Sequence, residues 1–179
     1  LAHPAADKRK RFRHWLTVLR KIVGMGNKSV LIVYYSREGH TAFMASEIAE
    51  GIRSAGFEAS VKRVEDAGDS SEFLKADAIL LGTPTYASNI SWPVKRLIDE
   101  VLYSIYLRPE IERKVVSGFT SSGTLEDGKK CIEAMNWAFR HSKAKIVNGL
   151  VLLEGSKSSK QRGSCRRFGK RIAEELSKT

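Results

Sequence analysis

Three short polar stretches could carry chemistry: SREGHT (36–41), TPTYASNIS (83–91) and TSSGTLEDG (120–128). Each is rich in hydroxyls, glycine or amide side chains. The first offers the hydroxyls of Ser36 and Thr41 and, at Gly39, a backbone that can curl. It runs straight into AFMASEIAEGI, which reads as a helix. The free N–H groups and the dipole at a helix start favour an anion, so a phosphate suits this loop. Arg37 and His40 can add positive charge there or point to solvent. A plain helix cap by Ser36 and Thr41 accounts for the same residues. The loop alone leaves both readings open.

Other chemistries have weaker footing. The two cysteines, Cys131 and Cys165, are far apart and lack metal-ligand spacing. They read as reduced core thiols of a cytoplasmic protein. G-x-G-x-x-G after the first strand is absent, and so is G-x-x-x-x-G-K-[ST]. A receiver domain needs acidic residues where Tyr35-Ser36 and Gly82-Thr83 stand, and a low-molecular-weight phosphatase needs a cysteine in the first loop. The stretch EGSKSSKQRG (154–163) is short and basic and reads as a solvated connection.

The elements that must position the three loops alternate regularly. Strands are expected over Ser29–Tyr35, Phe57–Val64, Ala78–Leu81, Lys114–Thr120 and Lys145–Leu153. Between them, helices are expected over Thr41–Ser54, Ser70–Lys75, a stretch capped by Ser91 with Pro93 in its first turn, Leu125–His141 and Ser164–Ser177. The first helix buries Met44, Ala45, Ile48 and Ile52 and ends at Gly56; the third carries a stripe from Val94 through Ile105. Strands one, three and four are unbroken apolar runs, as buried parallel strands are. The second alternates and suits an edge. The pattern is an open α/β sheet with helices on both faces. In such sheets ligands bind beyond the carboxyl ends of the strands, and the three polar stretches follow strands one, three and four.

The chain has 179 residues, enough for one domain with a real core. Its charge is uneven. Residues 1–28 hold eight basic residues against Asp7 alone, so seven of the eleven net positive charges lie there and four on residues 29–179. Phe12, Trp15, Leu16, Leu19, Ile22 and Val23 fall at helical spacing in that arm. A solvated extension, a helix that contacts an anionic surface, and an upstream segment ahead of a start at Met25 all fit it. Nothing in it resembles a specific nucleic-acid-binding motif. No apolar run approaches the roughly 20 residues of a membrane helix.

These residues carry a resemblance. VLIVYYSREGHT followed by a helix resembles the phosphate loop of flavodoxin-like proteins. DAILLGTPTYASNISWPVKRLIDEV (77–101) resembles the flavin-ring loop and following helix of the Trp-repressor-binding-protein-like branch, which includes FMN-dependent NAD(P)H:quinone reductases. KVVSGFTSSGT (114–124) and CRRFGKRIAEEL (165–176) are similar to that branch's third flavin loop and last helix. The resemblance spans residues 29–179 and implies a flavodoxin-like open five-stranded parallel sheet of order 2-1-3-4-5.

It also implies FMN. Ser36, Arg37, Glu38, Gly39, His40 and Thr41 would wrap the phosphate. Pro84, Thr85, Tyr86, Ala87 and Asn89 would line the isoalloxazine, and Ser121, Ser122, Gly123 and Thr124 would close its other side. Tyr86 is the first candidate for ring contact; Trp92 comes second and reads more simply as core or interface packing. Electron-carrier flavodoxins are usually acidic and clamp the flavin with an aromatic from the third loop. This domain is mildly basic, and TSSGTLEDG has no aromatic. The long quinone reductases carry inserted segments and a histidine after the fourth strand that this chain lacks. Expected partners are therefore NAD(P)H and a quinone, or a redox protein, with a homo-oligomer open. A flavodoxin-fold binding module acting through the basic arm is the alternative.

Overall fold

A computed structural model describes residues 28–155 and 157–179. The arm, apart from Lys28, lies outside the described residues. In chain order the elements are β1 (Ser29–Tyr34), α1 (His40–Ser54), β2 (Glu58–Arg63), a 3-10 turn (Val64–Asp66), α2 (Ser70–Lys75), β3 (Ala78–Tyr86), β4 (Asn89–Ile90) and α3 (Trp92–Leu97). A π-helical turn (Ile98–Leu102) and α4 (Tyr103–Ile105) follow, then β5 (Val115–Ser122), α5 (Leu125–Trp137), β6 (Lys145–Ile146), β7 (Leu150–Leu153) and α6 (Ser159–Ser177).

β1 is central because its run Val30–Val33 is apolar on both faces. It pairs in parallel with β2 on one side and β3 on the other. β3 pairs in parallel with β5, and β5 with β6 and β7. The order is the expected 2-1-3-4-5, with the fifth strand in two pieces. The break has a cause. Val116 pairs with Ile146, yet Phe119 pairs with Leu150, so the pairing slips by one residue across 147–149. Gly149 lies so close to β5 that a Cβ there would stand 2.5 Å from the Gly118 carbonyl. This is a bulge, which an apolar run does not reveal.

Two cores flank the sheet. α1 and α6 cover Val30, Ile32, Leu80 and Phe119; α2, α3 and α5 cover Leu31, Val33, Ile79, Leu81 and Val116. Both cysteines are buried and free, and burial pushes the Cys165 thiol up to about 12. α1 and α6 approach closely through two glycines. A Cβ on Gly169 would stand 2.2 Å from the Ile48 carbonyl oxygen, and one on Gly51 2.3 Å from that of Arg166. Glu47 of α1 accepts from Arg162 at 3.0 Å and Arg166 at 2.7 Å of α6.

Four boundaries differ from expectation by more than one residue. β3 does not end at Leu81. It continues past Gly82, which leaves room for the Phe119 ring of the neighbouring strand, where a Cβ would be 2.2 Å from that ring. It then folds back onto β4 with Tyr86 opposite Asn89. β5 runs on to Ser122. α5 stops at Trp137 rather than His141. α6 starts five residues early, at Ser159, because Ser158 caps it, its Oγ accepting the Gln161 N–H at 3.3 Å.

The β3–β4 turn is Ala87-Ser88, and both residues have positive φ, 48° and 61°. Two-residue hairpins of this kind favour Asn-Gly because left-handed backbone costs other residues roughly 1–2 kcal/mol each. Ala87→Asn is therefore expected to raise unfolding stability by about 1 kcal/mol. A urea midpoint that stays or falls would count against this turn.

Candidate functional site

The first loop sets its own geometry. Ser36 is buried, and its Oγ accepts the Gly39 N–H at 3.1 Å, curling the chain. Gly39 is the N-cap of α1 at φ 85°, a left-handed conformation that glycine adopts without penalty. No side chain caps α1. The first intrahelical bond runs from Phe43 N–H to the Gly39 carbonyl at 3.0 Å. The preceding N–H groups therefore face outward at the positive pole of a helix of 15 residues. A simple cap by Ser36 and Thr41 is thus not what the loop forms. The Thr41 hydroxyl instead lies 3.1 Å from that of Ser121, joining α1 to the end of β5.

The second and third loops brace each other in the same way. Thr120 Oγ1 donates to the Thr83 carbonyl at 2.6 Å and lies 2.8 Å from Thr85 Oγ1. Thr83 Oγ1 lies 2.8 Å from Ser91 Oγ and accepts the Ser91 N–H at 3.0 Å. These hydroxyls fix the strand ends and leave the backbone to meet a ligand.

One cleft gathers most of the expected residues: Ser36, Arg37, Glu38, His40 and Thr41 from the first loop, Pro84, Thr85 and Tyr86 from the second, and Ser121 and Gly123 from the third. Gly39 stands at its helix pole. Larger hollows, of about 270 and 290 Å3, lie beside α3 and between α3 and α5. The first of them reaches the start of α3 at Trp92 and Pro93, but that helix has only six residues and Pro93 carries no N–H. Neither hollow is lined by the first or third hydroxyl-rich loop, so the smaller cleft is the better equipped for an anion. Tyr86 is 43% exposed at the mouth. Burial, and then Tyr35, push its hydroxyl pKa up; Arg37 opposes them, while Glu38 and Glu154 add to the rise.

Four expected residues do not present side chains to the cleft. Ala87 sits at the turn. Asn89 accepts its neighbour Ile90's N–H at 2.8 Å. The Ser122 side chain lies on the α5 face, its Cβ 3.2 Å from where a Gly128 Cβ would be, and its buried Oγ has no partner. Thr124 caps α5 by accepting the Asp127 N–H at 3.1 Å. Asp127 also accepts from Ser88, tying the second loop to α5, and both hydroxyls hold its carboxyl below the usual range. Trp92 is 71% exposed, neither core nor cleft, with Arg96 over its ring at 5.7 Å.

The solvated-connection reading of 154–163 is corrected. Glu154 lines the cleft. Lys157 reaches over the first loop, its Nζ 3.2 Å from where a Gly39 Cβ would stand. Only the early start of α6 brings it there, and no local pattern announced that start.

A phosphorylated flavin fits this arrangement. The curled loop leaves a hollow at Gly39 that a side chain would enter, with outward N–H groups on one side and lysine on the other. Among the described residues no metal-ligand cluster exists, and no helix is long and apolar enough to cross a membrane.

The flavodoxin family model matches residues 32–168. A flavodoxin of Aquifex aeolicus is 34% identical over 160 residues, covering 81% of this chain and 85% of that protein. An NAD(P)H dehydrogenase (quinone) of Paracoccus denitrificans is 32% identical over 120 residues, covering 56% of this chain; the match spans only 57% of that relative's length. The solved structure of a WrbA-like flavodoxin from Agrobacterium tumefaciens superimposes with a TM-score of 0.69 at 25% identity, covering 84% of this chain and 98% of that one. The matched residues take in the first loop, the hairpin after β3 and the end of β5, and the chain therefore belongs to the flavodoxin family, the FMN-binding redox proteins, on the side of its WrbA-type branch.

Proposed function

We propose that the chain is a flavodoxin-type electron carrier that holds FMN in the cleft and exchanges electrons with a protein partner in the cytoplasm. FMN supplies the redox chemistry when bound. The chain's residues bind and orient it. Ser36, Arg37, Glu38, Gly39, His40 and Thr41 hold the phosphate, chiefly through outward N–H groups of α1. Pro84, Thr85, Tyr86, Ala87 and Asn89 form one wall for the ring, and Tyr86 offers the aromatic face. Ser121, Ser122, Gly123 and Thr124 form the other wall through backbone, since the hydroxyls of Ser121 and Thr124 are already engaged.

One observation carries the carrier reading. Gly123 and Thr124 alone join β5 to α5, so no inserted segment from this connection folds over the cleft to hold a second substrate. NAD(P)H:quinone reduction is the second reading. The third loop has no aromatic, which leaves one ring face open for a nicotinamide or a quinone to stack.

The test is to mix the FMN-loaded chain with NADPH alone, then with dithionite, and follow the visible spectrum. The carrier reading expects bleaching by dithionite and not by NADPH. Rapid bleaching by NADPH, with turnover on added quinone, would select the second reading.

A further inference from the structure

Charge on the described domain is segregated. Residues 157–171 hold seven basic residues and no acidic one. The net charge of residues 29–179 is four positive, so everything else there sums to three negative. All seven basic side chains are exposed. Arg162 and Arg166 turn toward α1 and share Glu47. Lys160, Arg167 and Lys170 lie along the outer side of α6, opposite its buried stripe of Cys165, Phe168, Ile172 and Leu176. Arg171 lies at the edge of that stripe, over the Phe168 ring at 5.1 Å and donating to the Asn148 carbonyl. Among the described residues, no carboxylate pairs with any of these four; the nearest acids along the helix, Glu174 and Glu175, stand at its far end. The ridge begins at the cleft, where Lys157 stands over Gly39.

We infer that this ridge is the docking surface for an acidic electron-transfer protein. The inference rests on the redox reading of the cleft. A row of like charges that costs self-repulsion in the free chain is neutralised by a surface of opposite sign, which also steers encounter. Its start at the cleft places a docked partner beside the cofactor. A lipid surface fits less well: α6 exposes no large apolar side chain to insert below the headgroups. Nucleic acid fits less well too, since the ridge exposes no aromatic side chain for bases to stack on.

The probe is an acidic plant-type [2Fe–2S] ferredoxin, titrated against the full chain with and without FMN. Affinity is expected to fall more than about tenfold between roughly 10 mM and 0.3 M salt as screening sets in. The triple variant Lys160→Glu, Arg167→Glu, Lys170→Glu is expected to bind more than about tenfold more weakly at low salt. The control Arg108→Glu, Arg113→Glu, Lys143→Glu, which reverses three exposed charges away from the ridge, is expected to bind as the parent does. Ferredoxin reduced beforehand should pass one electron per encounter to the bound flavin, its iron going from Fe(II) to Fe(III), with the same salt dependence. Binding that requires the ridge in the FMN-free chain, without electron transfer, would uphold the docking surface and sink the redox reading. Equal binding by the triple variant and the parent would overturn the docking surface. So would salt-insensitive binding, or binding only to vesicles containing one anionic lipid in about four.

Discussion

Gly39→Val will weaken FMN binding by at least about a hundredfold, close to 3 kcal/mol. Two effects combine. The residue sits at φ 85°, where an L side chain costs roughly 1–2 kcal/mol and a branched one more. Its side chain would also enter the hollow between the first turn of α1 and Lys157, where the phosphate must approach the backbone. Strain alone would lower the melting temperature of the FMN-free variant by only a few degrees at this chain length. Fluorescence titration with FMN, beside far-UV dichroism and a melting curve, separates the two. A folded variant with unchanged FMN affinity would move the anion site away from α1.

Gly169→Ala is the second large effect, and its sign is informative. In an ordinary helix interior this change stabilises by roughly 1 kcal/mol, because alanine is the better helix former. Here the new Cβ would stand 2.2 Å from the Ile48 carbonyl oxygen and 3.0 Å from the Ile52 nitrogen. Both atoms are backbone, so α1 and α6 must part. Separation opens the core around Ile48, Phe168 and Ile172 and loosens Arg162 and Arg166 from Glu47. A loss of about 3 kcal/mol is expected in urea unfolding. A neutral or stabilised variant would show that helix propensity decides at this position. Parting the helices would also shift Lys157 from the first loop, so FMN affinity should fall with stability.

The sheet was legible because its strands announce themselves. An unbroken VLIV at β1 and AILL at β3 can only be buried on both faces, and the alternation of β2 marks an edge. The first loop was legible too, since a hydroxyl-rich turn entering a helix points to an anion. Of the two readings the residues left open, a bond removes the plain cap: Ser36 turns to Gly39 and leaves α1 without a side-chain cap, and the anion site is the reading proposed for it.

The rest was hidden for physical reasons. Periodicity reads local burial, whereas β3 runs on past Gly82 beside Phe119 of another strand. The bulge at Gly149 depends on register with β5. Hydroxyls that looked available for a ligand are already engaged, those of Thr41 and Ser121 with each other and that of Thr120 with the Thr83 carbonyl, which composition does not show. Glu154 and Lys157 reach the cleft because a serine cap starts α6 early and two glycines press that helix onto α1. The aromatics divided: Tyr86 stands at the cleft mouth, whereas Trp92 faces solvent.

The most direct measurement is a visible absorption spectrum of the purified 179-residue chain, taken after FMN is added and the excess removed. A retained oxidised-flavin spectrum at one flavin per chain is expected, with riboflavin, which lacks the phosphate, held far less tightly. A folded chain that retains no flavin would contradict an FMN site in the cleft.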